Sequence, residues 1–202
     1  MVSNNKQMQS VEIYHEKQSR QLCALHALNN LFQAKECYTK EQLDDVCNKL
    51  TPNAWINPHR SVLGLGDYDI NVIMTALQQK NCEAIWFDKR KDPACINTSK
   101  IIGFILNVPS DYKFGIITLP LWRKRHWIAI RQINEKFYNL DSKLHTPLCI
   151  GDESELFSYL RAELETNERE LFVVIQSYTG NPQKWLKEET AVTAPTTDQK
   201  VN

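Results

Sequence analysis

The stretch YHEKQSRQLCALHALNNLFQ, residues 14–33, decides the fold of this chain. Within it, apolar side chains recur every three or four residues from 22 to 32, which predicts an amphipathic helix with a broad apolar face. Cys23 lies at the start of this helix, where free peptide N–H groups and the helix dipole favour a thiolate over a thiol. We therefore expect a core helix that begins at a cysteine whose pKa is lowered by its position.

Three more helices are predicted farther along the chain, each with a capping signal. Residues 39–42, Thr-Lys-Glu-Gln, form a capping box before an apolar pattern with helical spacing. Asp69 and Asp152 can each cap a helix, because a carboxylate there accepts hydrogen bonds from the free N–H groups of the first turn. Each predicted helix carries an apolar face suited to packing.

Strand patterns are concentrated in the second half of the chain. Short runs rich in branched and aromatic residues occur at 83–87, 101–107, 126–133, 136–141 and 171–175. Asn134 and Glu135 separate two of these runs and predict a tight hairpin. Helices first and antiparallel strands after them predict an α+β fold, with a helical lobe packed on an antiparallel β-sheet lobe.

The composition is typical of a soluble globular protein. The 202 residues include 24 basic and 24 acidic side chains, and this balance argues against binding nucleic acid by neutralising phosphates. Six cysteines without a CxxC pair favour reduced thiols in the cytoplasm or nucleus. No segment is apolar over the roughly 20 residues that a membrane span needs. We expect one domain at 12–186, between a flexible tail at 1–11 and a disordered tail at 187–202.

Cys23 and His126 are the first candidates for chemistry. A thiolate at a helix start is a nucleophile, and an imidazole can act as its base. His126 lies in Arg-Lys-Arg-His-Trp, where a basic turn enters a strand. Taken singly, Cys23 is more typical of a small buried core residue, and His126 of an ordinary histidine at a strand end.

Asp141 and Gln18 are the other two candidates for chemistry. With Asn134-Glu135 as a two-residue turn, counting outward puts Asp141 opposite Ile128, one diagonal step from His126. Asp141 could then bind one ring nitrogen of His126, although it could equally cap the turn that follows it. The Gln18 amide could join the Cys23 N–H in binding an oxyanion, but an isolated glutamine carries no such meaning.

Other patterns are weaker. Cys23 and His26 share a helix face, but no second Cys/His pair at ligand spacing exists to complete a metal site, so we expect no metal. His26 is better interpreted as a packed helix residue. Residues 64–67 lack the spacing of a nucleotide-binding loop and are interpreted as a loop that could gate a groove.

Three segments together resemble a known family. Residues 14–33 resemble the opening motif of the Josephin domain, while RHWIAIR at 125–131 and FYNLDSKL at 137–144 resemble its histidine strand and its Asn/Asp strand. The resemblance covers residues 13–175 and is strongest to the short, single-domain Josephin proteins. It implies a papain-like cysteine protease fold and activity on ubiquitin, that is, a deubiquitinase.

The resemblance also implies a role for each candidate residue. Cys23 matches the nucleophile, His126 the general base and acid, Asp141 the residue that orients the histidine, and Gln18 the oxyanion donor. The implied partners are ubiquitin, polyubiquitin chains and ubiquitinated proteins, with no cofactor. Two alternatives stay open: a ubiquitin-binding regulatory module with weak or conditional activity, and, more remotely, a cysteine hydrolase or transferase acting on another substrate.

Overall fold

The computed structural model describes residues 12–19, 21–53, 55–61, 66–110, 113–114, 117–118, 124–177 and 185–187. The predicted tail at 1–11 and residues 188–202 of the other tail lie outside the described residues. Twelve elements follow one another in these ranges, together with two short 3₁₀ turns: α1 (Cys23–Phe32), α2 (Lys40–Leu50), α3 (Ile70–Gln78), β1 (Cys82–Trp86), β2 (Gly103–Ser110), β3 (Lys113–Phe114), β4 (Ile117–Thr118), β5 (Lys124–Ile133), β6 (Lys136–Asn139), β7 (Leu148–Gly151), α4 (Glu153–Leu164) and β8 (Glu170–Gln176).

The helix starts follow the capping chemistry in the sequence. Thr39 and Gln42 form the capping box of α2, and Asp152 forms a second one with Glu155 at α4. Asp69 accepts hydrogen bonds from the first N–H groups of α3. Helix α1 differs, because its N-cap residue has no side-chain capping bond. Its first N–H groups therefore stay available at the position that Cys23 occupies.

Six strands form one antiparallel sheet in the order β1-β8-β2-β5-β6-β7. The β5–β6 hairpin has the predicted register, with Ile133 opposite Lys136. Asn134 and Glu135 both have positive φ angles, as a two-residue hairpin turn of type I′ requires. The predicted α+β arrangement of helices and antiparallel strands is confirmed.

The predicted strands differ from the observed ones by a few residues at several ends, and the differences beside the β5–β6 hairpin bear on the site. Strand β6 ends at Asn139 rather than at Asp141. Strand β7 was not predicted at all, since it has only four residues, three of them facing partly or fully outward. Its pairing with β6 is irregular between Phe137 and Tyr138. A short edge strand with a bulge has too weak a periodicity to be found from sequence.

Two apolar layers cover the faces of the sheet. One lies between the sheet and helices α1 to α3 and includes Cys23, Trp127 and Phe172. The other lies between the opposite face and α4 and includes Ile128 and Leu160. Alternate residues of β5 enter opposite layers, as the pleat of a strand requires. Helix α1 packs directly on β5, and this contact brings the start of the helix to the histidine strand.

Candidate active site

Cys23 is the first residue of α1 and is 5% exposed. The loop before α3 packs against this helix start, where Gln21 and Gly66 form an isolated bridge. Gly66 has a φ of 111°, and a Cβ there would lie 2.4 Å from the carbonyl oxygen of Gln21. Only glycine permits this approach. The loop therefore lies close beside the thiol.

The environment of the Cys23 sulfur acts in both directions on its pKa. Burial raises the pKa of the thiol above its ordinary value, and this effect prevails. Hydrogen bonds from the backbone N–H groups of Trp127 and Ala24 lower the pKa in part. The charge of Asp67 raises it and that of Lys143 lowers it. The expectation of a lowered pKa is therefore wrong for this structure, because desolvation outweighs the N–H groups of the helix start.

His126 and Asp141 form a direct pair. Nε2 of His126 lies 2.6 Å from Oδ1 of Asp141, and His126 is 3% exposed. Burial alone would raise the pKa of Asp141, but its hydrogen bond to His126 and the charge of that ring hold the pKa below its ordinary value. An ionised Asp141 accepts the Nε2–H of the ring, which leaves Nδ1 as the second nitrogen.

Asp141 lies just beyond β6 and is held there by its neighbours. Its backbone N–H donates to Oδ1 of Asn139 over 2.8 Å, and its own Oδ1 accepts the backbone N–H of Lys143 over 2.9 Å. The ring of His15 binds the Asp141 carbonyl oxygen at 2.9 Å. A turn at the strand end therefore fixes the carboxylate. The turn gives the carboxylate the orientation toward His126 that the sequence analysis expects from a strand reaching residue 141.

The segment that carries Gln18 packs against the same turn. The backbone N–H of Gln18 donates to the carbonyl oxygen of Ser142 over 2.7 Å. Asn30, fully buried in α1, accepts from the N–H of Glu16 at 2.6 Å and donates to the Leu140 carbonyl at 3.0 Å. One buried amide thus connects the segment before α1 to the segment after β6.

His26 holds the other side of this segment. Its Nδ1 lies 2.6 Å from the carboxylate of Glu16, and its Nε2 accepts the backbone N–H of Ser19 at 3.2 Å. Burial would raise the pKa of Glu16, but hydrogen bonds from His26, Tyr14 and Asn29 keep it below its ordinary value. His26 is committed on both nitrogens, which agrees with its interpretation as a packed helix residue.

The fold pairs His126 with Asp141 directly and links Cys23 and Gln18 to them through neighbouring backbone groups. Cys23 contacts the backbone N–H of Trp127, the residue after His126, while Gln18 bonds to Ser142, the residue after Asp141. No hydrogen bond joins the Cys23 thiol to the His126 ring among the described residues. Sequence reasoning missed Trp127 and Asn30, since the roles of both depend on backbone groups far away in the chain.

Two kinds of feature are absent from the part of the chain that the structure describes. Within the described ranges, no group of three or more His, Cys, Asp or Glu side chains is placed to hold a metal ion. Across the same part of the chain, no helix has both the length and the apolar character of a membrane span. Of the loop interpreted as a gate, residues 64 and 65 lie outside the described residues. Gly66 packs on Gln21, and the charge of Asp67 acts on Cys23.

Comparison with known proteins identifies the family. The Josephin family model matches residues 18–175. A Josephin-like protein of Drosophila melanogaster is 52% identical over 187 residues, covering 90% of this chain and 84% of that protein. Josephin-2 of Homo sapiens is 42% identical over 175 residues, covering 87% and 92%. Ataxin-3 of Homo sapiens is 28% identical over 185 residues, covering 80% and 45%. The chain belongs to the Josephin family, and the papain-like α+β fold expected for it is confirmed.

Proposed function

We propose that this chain is a cysteine deubiquitinase that cleaves the bond between the C-terminal carboxyl group of ubiquitin and a lysine amine. The observation that carries the proposal is the His126–Asp141 pair at 2.6 Å, on the strand whose Trp127 N–H contacts a cysteine at an uncapped helix start. A thiol, an imidazole and an orienting carboxylate are the groups that acyl transfer through a covalent intermediate requires. Membership of the Josephin family supports ubiquitin as the substrate.

The first half of the reaction forms a thioester. Nδ1 of His126 takes the proton of the Cys23 thiol, and the sulfur attacks the carbonyl carbon of the terminal glycine of ubiquitin. The N–H of Cys23 and the amide of Gln18 bind the oxyanion of the tetrahedral intermediate. The carbon–nitrogen bond then breaks, and the Nδ1–H of His126 protonates the leaving lysine amine.

The second half releases ubiquitin. Water gives a proton to Nδ1 of His126 and attacks the thioester carbonyl carbon. The carbon–sulfur bond breaks, and the proton on Nδ1 returns to the Cys23 sulfur. Ubiquitin leaves with a free carboxyl group, which gives its remaining proton to solvent and becomes a carboxylate. Asp141 stays ionised throughout and stabilises the charged ring in each half.

A second candidate function has one observation in its favour. Cys23 is buried, its pKa is raised, and no hydrogen bond joins it to His126 within the described ranges. A ubiquitin-binding module with conditional activity would keep its thiol in this protonated state until a partner or modification moved His126 toward the sulfur.

A mechanism-based probe separates the two functions. Ubiquitin with a C-terminal propargylamide forms a covalent adduct only with an aligned, reactive cysteine. We expect wild-type protein to gain the mass of ubiquitin, Cys23→Ala to gain none, and His126→Ala to react far more slowly. Cys149→Ser is the matched control, because Cys149 is an exposed thiol outside the site. Reversible ubiquitin binding without an adduct would favour the binding module.

A further inference from the structure

Asn139, the last residue of β6, connects the turn that carries Asp141 to helix α4. Its side chain is buried, with the residue 7% exposed. Its Oδ1 accepts the backbone N–H of Asp141 at 2.8 Å, and its Nδ2 donates to the hydroxyl of Tyr159 in α4 at 3.0 Å. One carboxamide therefore joins the backbone of Asp141 to a side chain of the layer on the other face of the sheet from Cys23.

The Asn139 amide determines where the Asp141 carboxylate lies. An asparagine oxygen that accepts the N–H two residues later closes an Asx turn, which fixes the backbone of the segment it spans. The same turn presents Oδ1 of Asp141 to Nε2 of His126 at 2.6 Å. A rotated amide would set its NH₂ group against the Asp141 N–H, and two donors cannot bond to each other. The pair therefore depends on which end of the amide faces Asp141.

Tyr159 prevents this rotation of the amide. Its hydroxyl donates its proton to the carboxylate of Glu163, one turn farther along α4, and its oxygen is left to accept from Nδ2 of Asn139. Burial and the nearby charge of Glu163 raise the pKa of Tyr159 to about 12, so the hydroxyl keeps its proton near neutral pH. An ion pair with Arg169 holds Glu163 in place as the acceptor. Every hydrogen bond from Asp141 to Glu163 thus donates in the same direction.

Little water competes for the inner bonds of this chain. Tyr159 packs against the apolar layer under α4, and the Glu163 side chain is 19% exposed. In such surroundings hydrogen bonds are stronger than in water, and successive bonds polarise one another. The orientation of the amide is therefore imposed from α4, and it is passed to the turn at the end of β6.

We propose that Asn139 and Tyr159 are positioning residues for the reaction: Tyr159 holds the Asn139 amide, and this amide holds Asp141 against the His126 ring. Among the described residues, no hydrogen bond joins either side chain to Cys23 or to His126, so both act through Asp141. The proposal rests on the proposed function for the reaction that the His126–Asp141 pair performs. Helix α4 thereby takes part in setting the geometry of that pair from the opposite face of the sheet.

Tyr159→Phe tests the outer bond, because it removes one hydroxyl and keeps the packing of the ring. We expect kcat for a fluorogenic ubiquitin amide to fall about 5- to 10-fold, the effect of one buried hydrogen bond, with KM unchanged. Asn139→Ala should lose more activity than Tyr159→Phe and less than Asp141→Ala. Tyr138→Phe is the matched control and should keep wild-type kcat, because the Tyr138 hydroxyl binds the exposed Cys149. Wild-type kcat in Tyr159→Phe would overturn the proposal.

A second background separates positioning from a general loss of stability. In Asp141→Ala the carboxylate that the amide positions is absent, so adding Tyr159→Phe should cause no further loss of kcat. A purely structural role of the hydroxyl would lower kcat by the same factor in both backgrounds. Equal factors would therefore count against positioning, and a loss confined to the protein that retains Asp141 would support it.

The resting protein gives a readout that does not depend on turnover. With isotope-labelled histidine, the ring resonances of the buried His126 report its bond to Asp141. Tyr159→Phe should shift these resonances, and Tyr138→Phe should leave them unchanged. Unmoved resonances in Tyr159→Phe would refute positioning by this chain of bonds. Absence of ubiquitin cleavage by the wild type would instead overturn only the proposed function, because the resonances are measured without substrate.

Discussion

Nε2 of His126 and Oδ1 of Asp141 lie 2.6 Å apart, although the two residues are separated by 15 positions in the chain. The tight turn at Asn134-Glu135 folds β6 back on β5, and the turn after Asn139 then aims the carboxylate at the ring. The imidazole is fixed through one nitrogen, and the other is available for the chemistry at Cys23.

Replacing Asp141 should therefore affect turnover in a graded way. Asp141→Asn keeps an oxygen that can accept the Nε2–H and should lose less activity than Asp141→Ala. For Asp141→Ala we expect kcat to fall on the order of 10²-fold, since general acid–base catalysis needs an oriented ring. Steady-state hydrolysis of a fluorogenic ubiquitin amide measures both variants. Equal loss in the two variants would show that orientation by this oxygen is unimportant.

Gln18→Ala should reduce kcat by about 10²–10³-fold, the typical cost of losing one oxyanion donor, with little change in folding stability. Gln132→Ala, at an exposed position of β5, is the matched control and should keep wild-type kcat. Full activity of Gln18→Ala would remove the residue from the mechanism.

The raised pKa of Cys23 predicts slow alkylation of the resting protein. Burial keeps the thiol protonated near neutral pH, so its reaction with iodoacetamide should be slower than that of the exposed Cys149 and should accelerate as the pH rises beyond the ordinary thiol range. Asp67→Asn should accelerate alkylation of Cys23 by removing a charge that raises its pKa, and Lys143→Gln should slow it. Peptide mass spectrometry across a pH series gives both rates, and a fast reaction of Cys23 at pH 6 would contradict the assignment.

Acid should destabilise the fold through Glu16. Its pKa is lowered in the folded state, so its carboxylate stabilises the protein above the unfolded value of about 4.3, and this contribution is lost as the pH falls through the lowered folded value. In urea unfolding, the wild type should lose stability below about pH 4.5 more steeply than Glu16→Gln. Glu135→Gln, at the exposed hairpin turn, should keep the wild-type slope. Identical slopes in all three proteins would exclude the Glu16 contribution.

Asn30→Ala should reduce both stability and turnover. The substitution leaves the Glu16 N–H and the Leu140 carbonyl without their buried partner, which costs about 2–3 kcal/mol of unfolding free energy. It also loosens the contact between the Gln18 segment and the Asp141 turn, so kcat should fall while the protein is still folded at low denaturant. Asn48→Ala, on an exposed part of α2, should stay within about 0.5 kcal/mol of wild type.

Most of the helices and strands could be predicted from the sequence, because they depend on local chemistry. Caps at Thr39, Asp69 and Asp152 act on N–H groups two or three residues away, and the Asn134-Glu135 turn sets the register of its own hairpin. Motif resemblance added the family and an expected role for each of the four site residues. Strand β7 was not predicted, because its pairing depends on the neighbouring edge of the sheet more than on its own residues.

The sequence by itself determined the helix that begins at Cys23 and the antiparallel hairpin, because both follow from spacing and from groups close together in the chain. It allowed the pairing of His126 with Asp141, and the turn after Asn139 decided it. Only the tertiary structure decided the raised pKa of the Cys23 thiol and the Asn30 bridge between the segment before α1 and the segment after β6. These properties depend on desolvation and on contacts between distant segments, and both arise when the helical layer closes on the sheet.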